Sequence, residues 1–172
     1  MSVLLRRAEA NDAEALAVFA ARTFPLGGRP GADRADIAAH VAKELTPQKM
    51  RTMIGDANAV VVLAEEDSQI VGYGVLMLAS SHPKIAVERA AEVYKFYVDP
   101  EHHGRGVANL LMRELLDASD CDTLWLSVFS ENPRGIGFYR RWGFEVVGEQ
   151  IYVVGNDRQQ DLLMRRERNE LK

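Results

Sequence analysis

Cysteine is nearly absent from this chain of 172 residues, in which Cys121 is the only one. A single cysteine cannot form a disulfide within the chain, which predicts a reducing, cytoplasmic location. The sequence also lacks any run of about 18 apolar residues, so a membrane-spanning helix is not expected. No apolar signal core follows Arg6 and Arg7 near the start, so no signal peptide is expected either.

An excess of positive charge is missing as well. The chain carries 21 lysine and arginine residues against 25 aspartate and glutamate residues, for a formal net charge of −4. Nucleic-acid phosphates require a basic surface, so a nucleic-acid partner is not expected, whereas a cationic small molecule is compatible with this balance. No repeat and no Gly-, Ser- or Pro-rich linker divides the chain, so we expect a single domain over residues 1–172.

The apolar spacing predicts alternating helices and strands. Strands are expected over residues 3–7, 59–64, 70–79, 92–98, 123–128, 144–154 and 161–164, and helices over residues 12–22, 33–43, 47–54, 106–118 and 133–142. The strand over residues 92–98 leads through a helix to another strand, a crossover that implies parallel pairing. The remaining order favours antiparallel hairpins, so we expect an α/β protein with a mixed central sheet. The charged tail over residues 165–172 is expected to be frayed.

The polar loop that follows the strand over residues 92–98 carries two glycines, Gly104 and Gly106. Glycine lets the backbone approach a ligand closely, because no Cβ stands in the way. The free amides of the first turn of a helix attract phosphate groups, and Arg105 can add a charge-assisted contact. This pattern therefore favours a diphosphate site, although an ordinary tight turn has the same pattern.

Two other nucleotide-binding loops are disfavoured by their spacing. A P-loop requires lysine and then serine or threonine after the last glycine, where this chain has Val107 and Ala108. A dinucleotide fingerprint requires a third small residue where Asn109 stands.

A second segment begins at Asn132, which is a plausible helix cap before Pro133. It continues with Phe138, Tyr139 and then Gly143-Phe144, and Gly143 is expected to cap the helix C-terminus. Core packing is the alternative explanation for the two aromatic side chains.

Together the two segments resemble the GNAT superfamily of N-acetyltransferases over residues 3–164. His103 to Ala108 is similar to its Gln/Arg-x-x-Gly-x-Gly/Ala acyl-CoA loop, from which His103 departs at the first position. Phe138 to Phe144 resembles the second CoA-contacting motif. Residues 152–164, together with Thr23-Phe24, loosely resemble the branch that contains bacterial polyamine acetyltransferases.

The resemblance implies an acetyl-CoA-dependent enzyme with the GNAT-like acyl-CoA N-acyltransferase fold, a sheet of about seven strands with helices on both faces. Two neighbouring strands of that fold part, and the pantetheine arm pairs with the exposed backbone, here of Phe96, Tyr97 and Val98. The diphosphate would lie on the amides of His103, Gly104, Arg105, Gly106, Val107 and Ala108. Asn132 would contact the arm, and Tyr139 would protonate the departing thiolate.

The resemblance also implies direct attack by a primary amine on the thioester. A polyamine or another small amine is the expected acceptor. The alternatives are a peptide or protein N-terminus, or a module that binds acyl-CoA without catalysis. Dimers are common in the superfamily, so a homodimer is an expectation of the same kind.

A general base is harder to assign. Some relatives use a glutamate on the fifth strand, where this chain has Ser127. Glu92 and Tyr94 share a face of the preceding strand by alternation and are candidate helpers, so no single carboxylate is expected to be essential. His102 and His103 are adjacent and point apart, so no metal site is expected.

Overall fold

One seven-stranded sheet organises residues 2–168, the part of the chain that this computed structural model describes. The strands are β1 (Leu4–Arg7), β2 (Ala59–Glu66), β3 (Gln69–Met77), β4 (Ala90–Val98), β5 (Thr123–Phe129), β6 (Glu145–Val154) and β7 (Asp157–Glu167). The helices are α1 (Ala13–Thr23), α2 (Arg34–Glu44), α3 (Pro47–Ile54), α4 (Val107–Asp117) and α5 (Pro133–Arg141). None of the helices in this part of the chain is long and apolar enough to cross a membrane.

The strands lie in the order β1-β2-β3-β4-β5-β7-β6. Every neighbouring pair is antiparallel except β4 and β5, which are parallel and are connected through α4. This arrangement confirms the predicted mixed sheet and the predicted crossover. Buried side chains of α1 and α3 pack on one face of the sheet, and those of α4 and α5 pack on the other.

Helix α4 approaches β3 closely because two facing positions are glycines. A Cβ at Gly74 would lie 2.8 Å from Leu115 Cδ1, and a Cβ at Gly72 would lie 3.0 Å from Leu111 Cδ1. Gly72 also pairs with Val98, the last residue of β4. This close packing brings the first turn of α4 next to the end of β4.

Strand β7 is much longer than expected, because it covers residues 157–167 rather than 161–164. It pairs with β5 on one side and with β6 on the other, so backbone hydrogen bonds hold its polar ends in the sheet. The expectation of fraying was therefore wrong for residues 165–167. Arg168 is held as well, because its amide donates to the carbonyl oxygen of Asp122 over 2.7 Å. The rest of the expected frayed tail, residues 169–172, lies outside the described residues.

Candidate active site

Strands β4 and β5 are neighbours over only three residue pairs. Ala90, Ala91 and Glu92 pair with Thr123, Leu124 and Trp125. On its other edge β4 stays paired with β3 as far as Val98, across a bulge that leaves Tyr94 without a partner in β3. Among the described residues, no strand pairs with the β5-facing edge of β4 beyond Glu92. An opening therefore lies between the two strands, as the resemblance implied.

On one side of the opening lies a cavity of about 410 Å³ beside α4 and α5, which we call the loop cavity. Residues expected to bind the cofactor come together in its lining: Phe96, Tyr97, Val98, His103, Gly104, Gly106, Val107, Ala108 and Asn132, along with Tyr139. The side chain of Arg105 lies elsewhere, because it is paired with Glu66. Residues grouped by sequence are thus neighbours in space, and their roles stay predictions.

The loop before α4 presents several backbone amides that have no internal partner. Gly104 and Gly106 have φ angles of 77° and 83°, a left-handed conformation that strains any residue with a Cβ. No described residue supplies a hydrogen-bond acceptor to the amides of Gly104, Gly106, Val107 or Ala108. Amides at the start of a helix carry partial positive charge, so this turn is suited to bind phosphate oxygens.

Glu66, at the end of β2, holds this loop from the outside. Its carboxylate oxygens lie 2.6 Å from Arg105 Nη2 and 2.8 Å from His102 Nε2. The hydrogen bonds from Arg105 and His102 stabilise the ionised carboxylate and lower the pKa of Glu66 to about 2. Arg105 was expected to contact the diphosphate, but in this structure its guanidinium anchors the loop to the sheet.

Two other predicted ligand residues have hydrogen bonds within the protein. The side chain of Asn132 caps α5 by accepting a hydrogen bond of 3.0 Å from the Gly135 amide, as expected. His103 Nε2 donates to the carbonyl oxygen of Val98 over 2.9 Å. Val98 O is therefore occupied by a side chain from the loop, whereas it was expected to be among the backbone atoms that pair with the pantetheine arm.

Tyr139 lies on α5 at the boundary between the loop cavity and a second cavity. The rings of Phe96, Phe138 and Phe144 surround it, with centroids 5.5 to 6.2 Å away. Burial raises the pKa of Tyr139 above its ordinary value of 10.0. The phenol therefore keeps its proton at neutral pH and is available as a proton donor.

The second cavity, of about 350 Å³, we call the strand cavity. Its walls come from β4, β5, β6 and β7, and its rim comes from the 24–29 segment that follows α1. Gly143, which was expected to cap α5, has a φ of 87° and donates to the carbonyl of Arg140, so that prediction is confirmed. This cap turns the chain from α5, which carries Tyr139, into β6.

Glu92, Tyr94 and Lys95 all line the strand cavity. Ser80 Oγ donates to Glu92 Oε1 over 2.8 Å, and burial raises the pKa of Glu92. Lys95 Nζ lies 4.7 Å from the centre of the Tyr94 ring, and burial lowers the pKa of Lys95. The two helpers suggested by the sequence, Glu92 and Tyr94, therefore face the same space despite the bulge.

One polar residue of this cavity was not identified from the sequence. Asp161 of β7 is only 7% exposed, and its Oδ2 accepts a hydrogen bond of 2.7 Å from Ser127 Oγ. Gln150 Nε2 donates to the same Ser127 oxygen over 2.9 Å. The sequence offered alternation along each strand but no indication that β7 lies beside β5, so Asp161 could not be placed next to Ser127.

Comparisons with known proteins identify the class to which this fold belongs, the N-acetyltransferases. The profile of the acetyltransferase (GNAT) family matches residues 32–144. An uncharacterized N-acetyltransferase of Mycobacterium tuberculosis is 34% identical over 159 residues, which cover 91% of this chain and 97% of the relative. The chain therefore belongs to the acetyltransferase (GNAT) family, which confirms the resemblance found in its sequence.

Solved structures support the fold. The PaiA N-acetyltransferase of Thermoplasma acidophilum, in complex with coenzyme A, has a TM-score of 0.77 and 19% identity over 97% of this chain and 99% of its own. Arabidopsis thaliana NAA60, in complex with acetyl-CoA, has a TM-score of 0.72 and 16% identity over 98% and 99%. At these identities the likeness shows that the seven-stranded architecture is shared.

Proposed function

We propose that this protein transfers the acetyl group of acetyl-CoA to the primary amine of a small molecule by direct attack. The observation that carries the proposal is the opening between β4 and β5, with Tyr139 lining the cavity on each side of it. A thioester carried in the loop cavity would reach Tyr139 from one side. An amine in the strand cavity would reach it from the other.

The loop cavity supplies what a coenzyme A molecule needs. The partnerless amides of Gly104, Gly106, Val107 and Ala108 would bind the diphosphate at the start of α4. The unpaired edge of β4 at Phe96 and Tyr97 would pair with the pantetheine arm as an added strand does. Asn132 lines both cavities and would contact the arm near the thioester.

In the chemical step the amine nitrogen attacks the thioester carbon and the carbon–sulfur bond breaks. Tyr139 would donate its proton to the departing thiolate. From reference pKa values of about 10 for a phenol and about 8.5 for a thiol, this transfer is uphill by about 2 kcal/mol. Burial raises the pKa of Tyr139, which keeps the phenol protonated and adds to this uphill difference, so the transfer would depend on the thiolate leaving next to the hydroxyl.

A polyamine or another small amine is the acceptor class that we propose. The strand cavity is lined by two carboxylates, Glu92 and Asp161, and the chain has a net charge of −4, both of which favour a cationic acceptor. The loose resemblance to polyamine acetyltransferases supports the same class. A peptide N-terminus and binding without catalysis are the alternatives that an assay must exclude.

The cellular setting is part of the same proposal. The lone Cys121 is a buried free thiol, as expected of a protein that works as a single domain in the reducing cytoplasm. We keep the homodimer as a prediction that sedimentation would test.

The test is a thiol-release assay with acetyl-CoA and a panel that includes spermidine, spermine, simple alkylamines and a peptide with a free N-terminus. We expect turnover with at least one small amine. Turnover with the peptide alone would move the enzyme to the N-terminal class. Binding of coenzyme A with no turnover on any amine would indicate a binding module.

The role of Tyr139 is tested with Tyr139→Phe. We expect kcat to fall about 100-fold or more, with a much smaller change in the KM for either substrate, because the hydroxyl acts only as the thiolate leaves. Tyr73→Phe is the matched control, since Tyr73 is a buried core tyrosine of β3. An unchanged kcat in Tyr139→Phe would refute the role.

A further inference from the structure

We infer that Asp161 is the carboxylate that binds the ammonium group of the acceptor and removes its proton. The inference rests on the proposed function and deepens it, because it assigns the general base that the sequence could not provide. It replaces the expectation that no single carboxylate is essential.

A chain of hydrogen bonds with one direction ends at Asp161. The Lys84 amide donates to His82 Nδ1 over 3.1 Å, so the hydrogen of the neutral ring is on Nε2 and is donated to Gln150 Oε1 over 2.9 Å. Gln150 then donates to Ser127 Oγ, and the Ser127 hydroxyl hydrogen points to Asp161 Oδ2. Every donor in the chain is oriented toward the carboxylate, an arrangement that favours its ionised form.

The Asp161 carboxylate has no cationic partner among the described residues. Within residues 2–168, Asp161 forms no ion pair, and the hydrogen bond from Ser127 to Oδ2 is the only one that its side chain accepts. A nearly buried carboxylate without a positive partner is unfavourable. A substrate ammonium group in the strand cavity would supply that partner.

The surrounding charges are compatible with this role. The titratable groups that line the same cavity are Arg29, Glu92, Tyr94, Lys95, Tyr97, Tyr139, Tyr152 and Asp161 itself. Arg29 is already paired with Asp157 at 3.0 Å, and Lys95 lies over the ring of Tyr94. Burial raises the pKa of Asp161, which brings this carboxyl closer to the range of an effective proton acceptor.

Strand register explains why the base is on β7. In β5, Ser127 is opposite Leu163 and Phe129 is opposite Asp161, so Ser127 and Asp161 are diagonal neighbours on one face of the sheet. The hydroxyl at position 127 leaves room for a carboxylate from the adjacent strand. The acidic function expected of the fifth strand is thus provided by β7.

Asp161 and Tyr139 each transfer one proton during the reaction. One N–H bond of the ammonium group breaks and its proton moves to Asp161, which frees the lone pair that attacks the thioester carbon. As the carbon–sulfur bond breaks, the thiolate takes a proton from Tyr139. The new amide nitrogen releases its second proton, which balances the one that Tyr139 gave. Asp161 loses its proton to solvent, so the products are an amide, a thiol and one proton.

The test is Asp161→Asn, which keeps the size of the side chain and its acceptor for Ser127. At pH 7 we expect kcat/KM for the amine to fall about 100-fold or more, with the KM for acetyl-CoA unchanged. The loss is expected to shrink by about tenfold per pH unit as the pH approaches the pKa of the amine, about 10, because free amine then needs no base. Ser127→Ala is expected to give a smaller loss and a shifted acidic limb of the pH profile.

Glu167→Gln is the matched control. Glu167 is on the same strand and accepts a 2.8 Å hydrogen bond from a β5 hydroxyl, that of Thr123, but it lines neither the loop cavity nor the strand cavity. We expect wild-type kinetics from it. Equal activity of Asp161→Asn and the wild type, or a loss that does not depend on pH, would overturn the inference. So would the same pH-dependent loss in Glu92→Gln without one in Asp161→Asn.

Calorimetric binding of the panel amines to the complex with coenzyme A separates this inference from the proposed function. If the wild type binds an amine but does not acetylate it, the proposed function fails, and weakened binding in Asp161→Asn would still support the ammonium site. If the wild type acetylates the amine and Asp161→Asn does so equally well at pH 7, the function stands and the assignment of Asp161 fails.

Discussion

Asp161 is a buried carboxyl group that we expect to oppose the stability of the fold. Burial raises its pKa above the ordinary value of 3.8, so folding disfavours the ionised form. That penalty is complete above the folded-state pKa and disappears below pH 3.8, where the carboxyl is protonated in both states. We expect the melting temperature of Asp161→Asn to exceed that of the wild type at pH 8, and the difference to vanish as the pH falls below 3.8. A lower melting temperature at pH 8 would contradict this.

Glu66 has the opposite effect, because its ionised carboxylate stabilises the fold. Its pKa is lowered from 4.5 to about 2, so its contribution to stability is complete above pH 4.5 and is lost as the pH falls toward 2. We expect the wild type to lose stability more steeply than Glu66→Gln between these values, as measured by acid unfolding followed by circular dichroism. Parallel acid-unfolding curves would show that Arg105 and His102 do not stabilise the ionised carboxylate.

Some residues of the candidate site could be identified from the sequence, and others could not. The glycines of the loop before α4 and the cap residue Asn132 could be identified from the sequence, because each acts through its own backbone or its close neighbours. The partner of Arg105 could not be predicted from the sequence. Glu66 is 39 residues away and contacts Arg105 only once β2 and β4 have both paired with β3. Asp161 was not identified from the sequence for the same reason, because its hydrogen-bond partner Ser127 is 34 residues away.

At the element scale, the turn into α4 depends on left-handed backbone. An alanine at Gly106, where φ is 83°, is strained by roughly 1–2 kcal/mol although there is space for the Cβ. We expect Gly106→Ala to raise the KM for acetyl-CoA about tenfold, because relief of the strain turns the amides away from the diphosphate. Gly31→Ala is the control, with a φ of 77°, open space and no place in the lining of the cavities. Equal KM values in the two variants would contradict the role of the turn.

The elements were largely predictable, and the exceptions have physical causes. Every helix and strand was expected near its observed position, most of them from a periodic apolar face and β2 from a continuous β-branched run. Strand β7 was predicted too short because residues 157–160 and 165–167 are polar, and its two neighbouring strands, rather than its own side chains, hold them extended. The bulge at Tyr94 could not be predicted from the alternation of apolar and polar residues in β4. It arises where β4 separates from β5 while it stays paired with β3.

At the scale of the whole molecule, co-substrate binding is expected to stabilise the fold. At a ligand concentration 100 times its Kd, the gain is about 2.7 kcal/mol. For a chain of this size each kcal/mol corresponds to roughly 2–4 °C, so coenzyme A should raise the melting temperature by about 5–10 °C. Pantetheine, which lacks the diphosphate, is expected to give a much smaller shift at the same concentration. Equal shifts from both ligands would mean that the amides before α4 do not bind phosphate.

Within the sheet, only three residue pairs join β1–β4 to β5, β7 and β6. A pantetheine arm lying along β4 would therefore connect the two parts of the sheet, β1–β4 and β5–β7. In hydrogen–deuterium exchange, amides of β4 that face the opening would exchange rapidly in the empty enzyme and become protected when acetyl-CoA is bound. The concentration of acetyl-CoA would then determine how firmly the two halves of the sheet are held together, as well as the rate of catalysis.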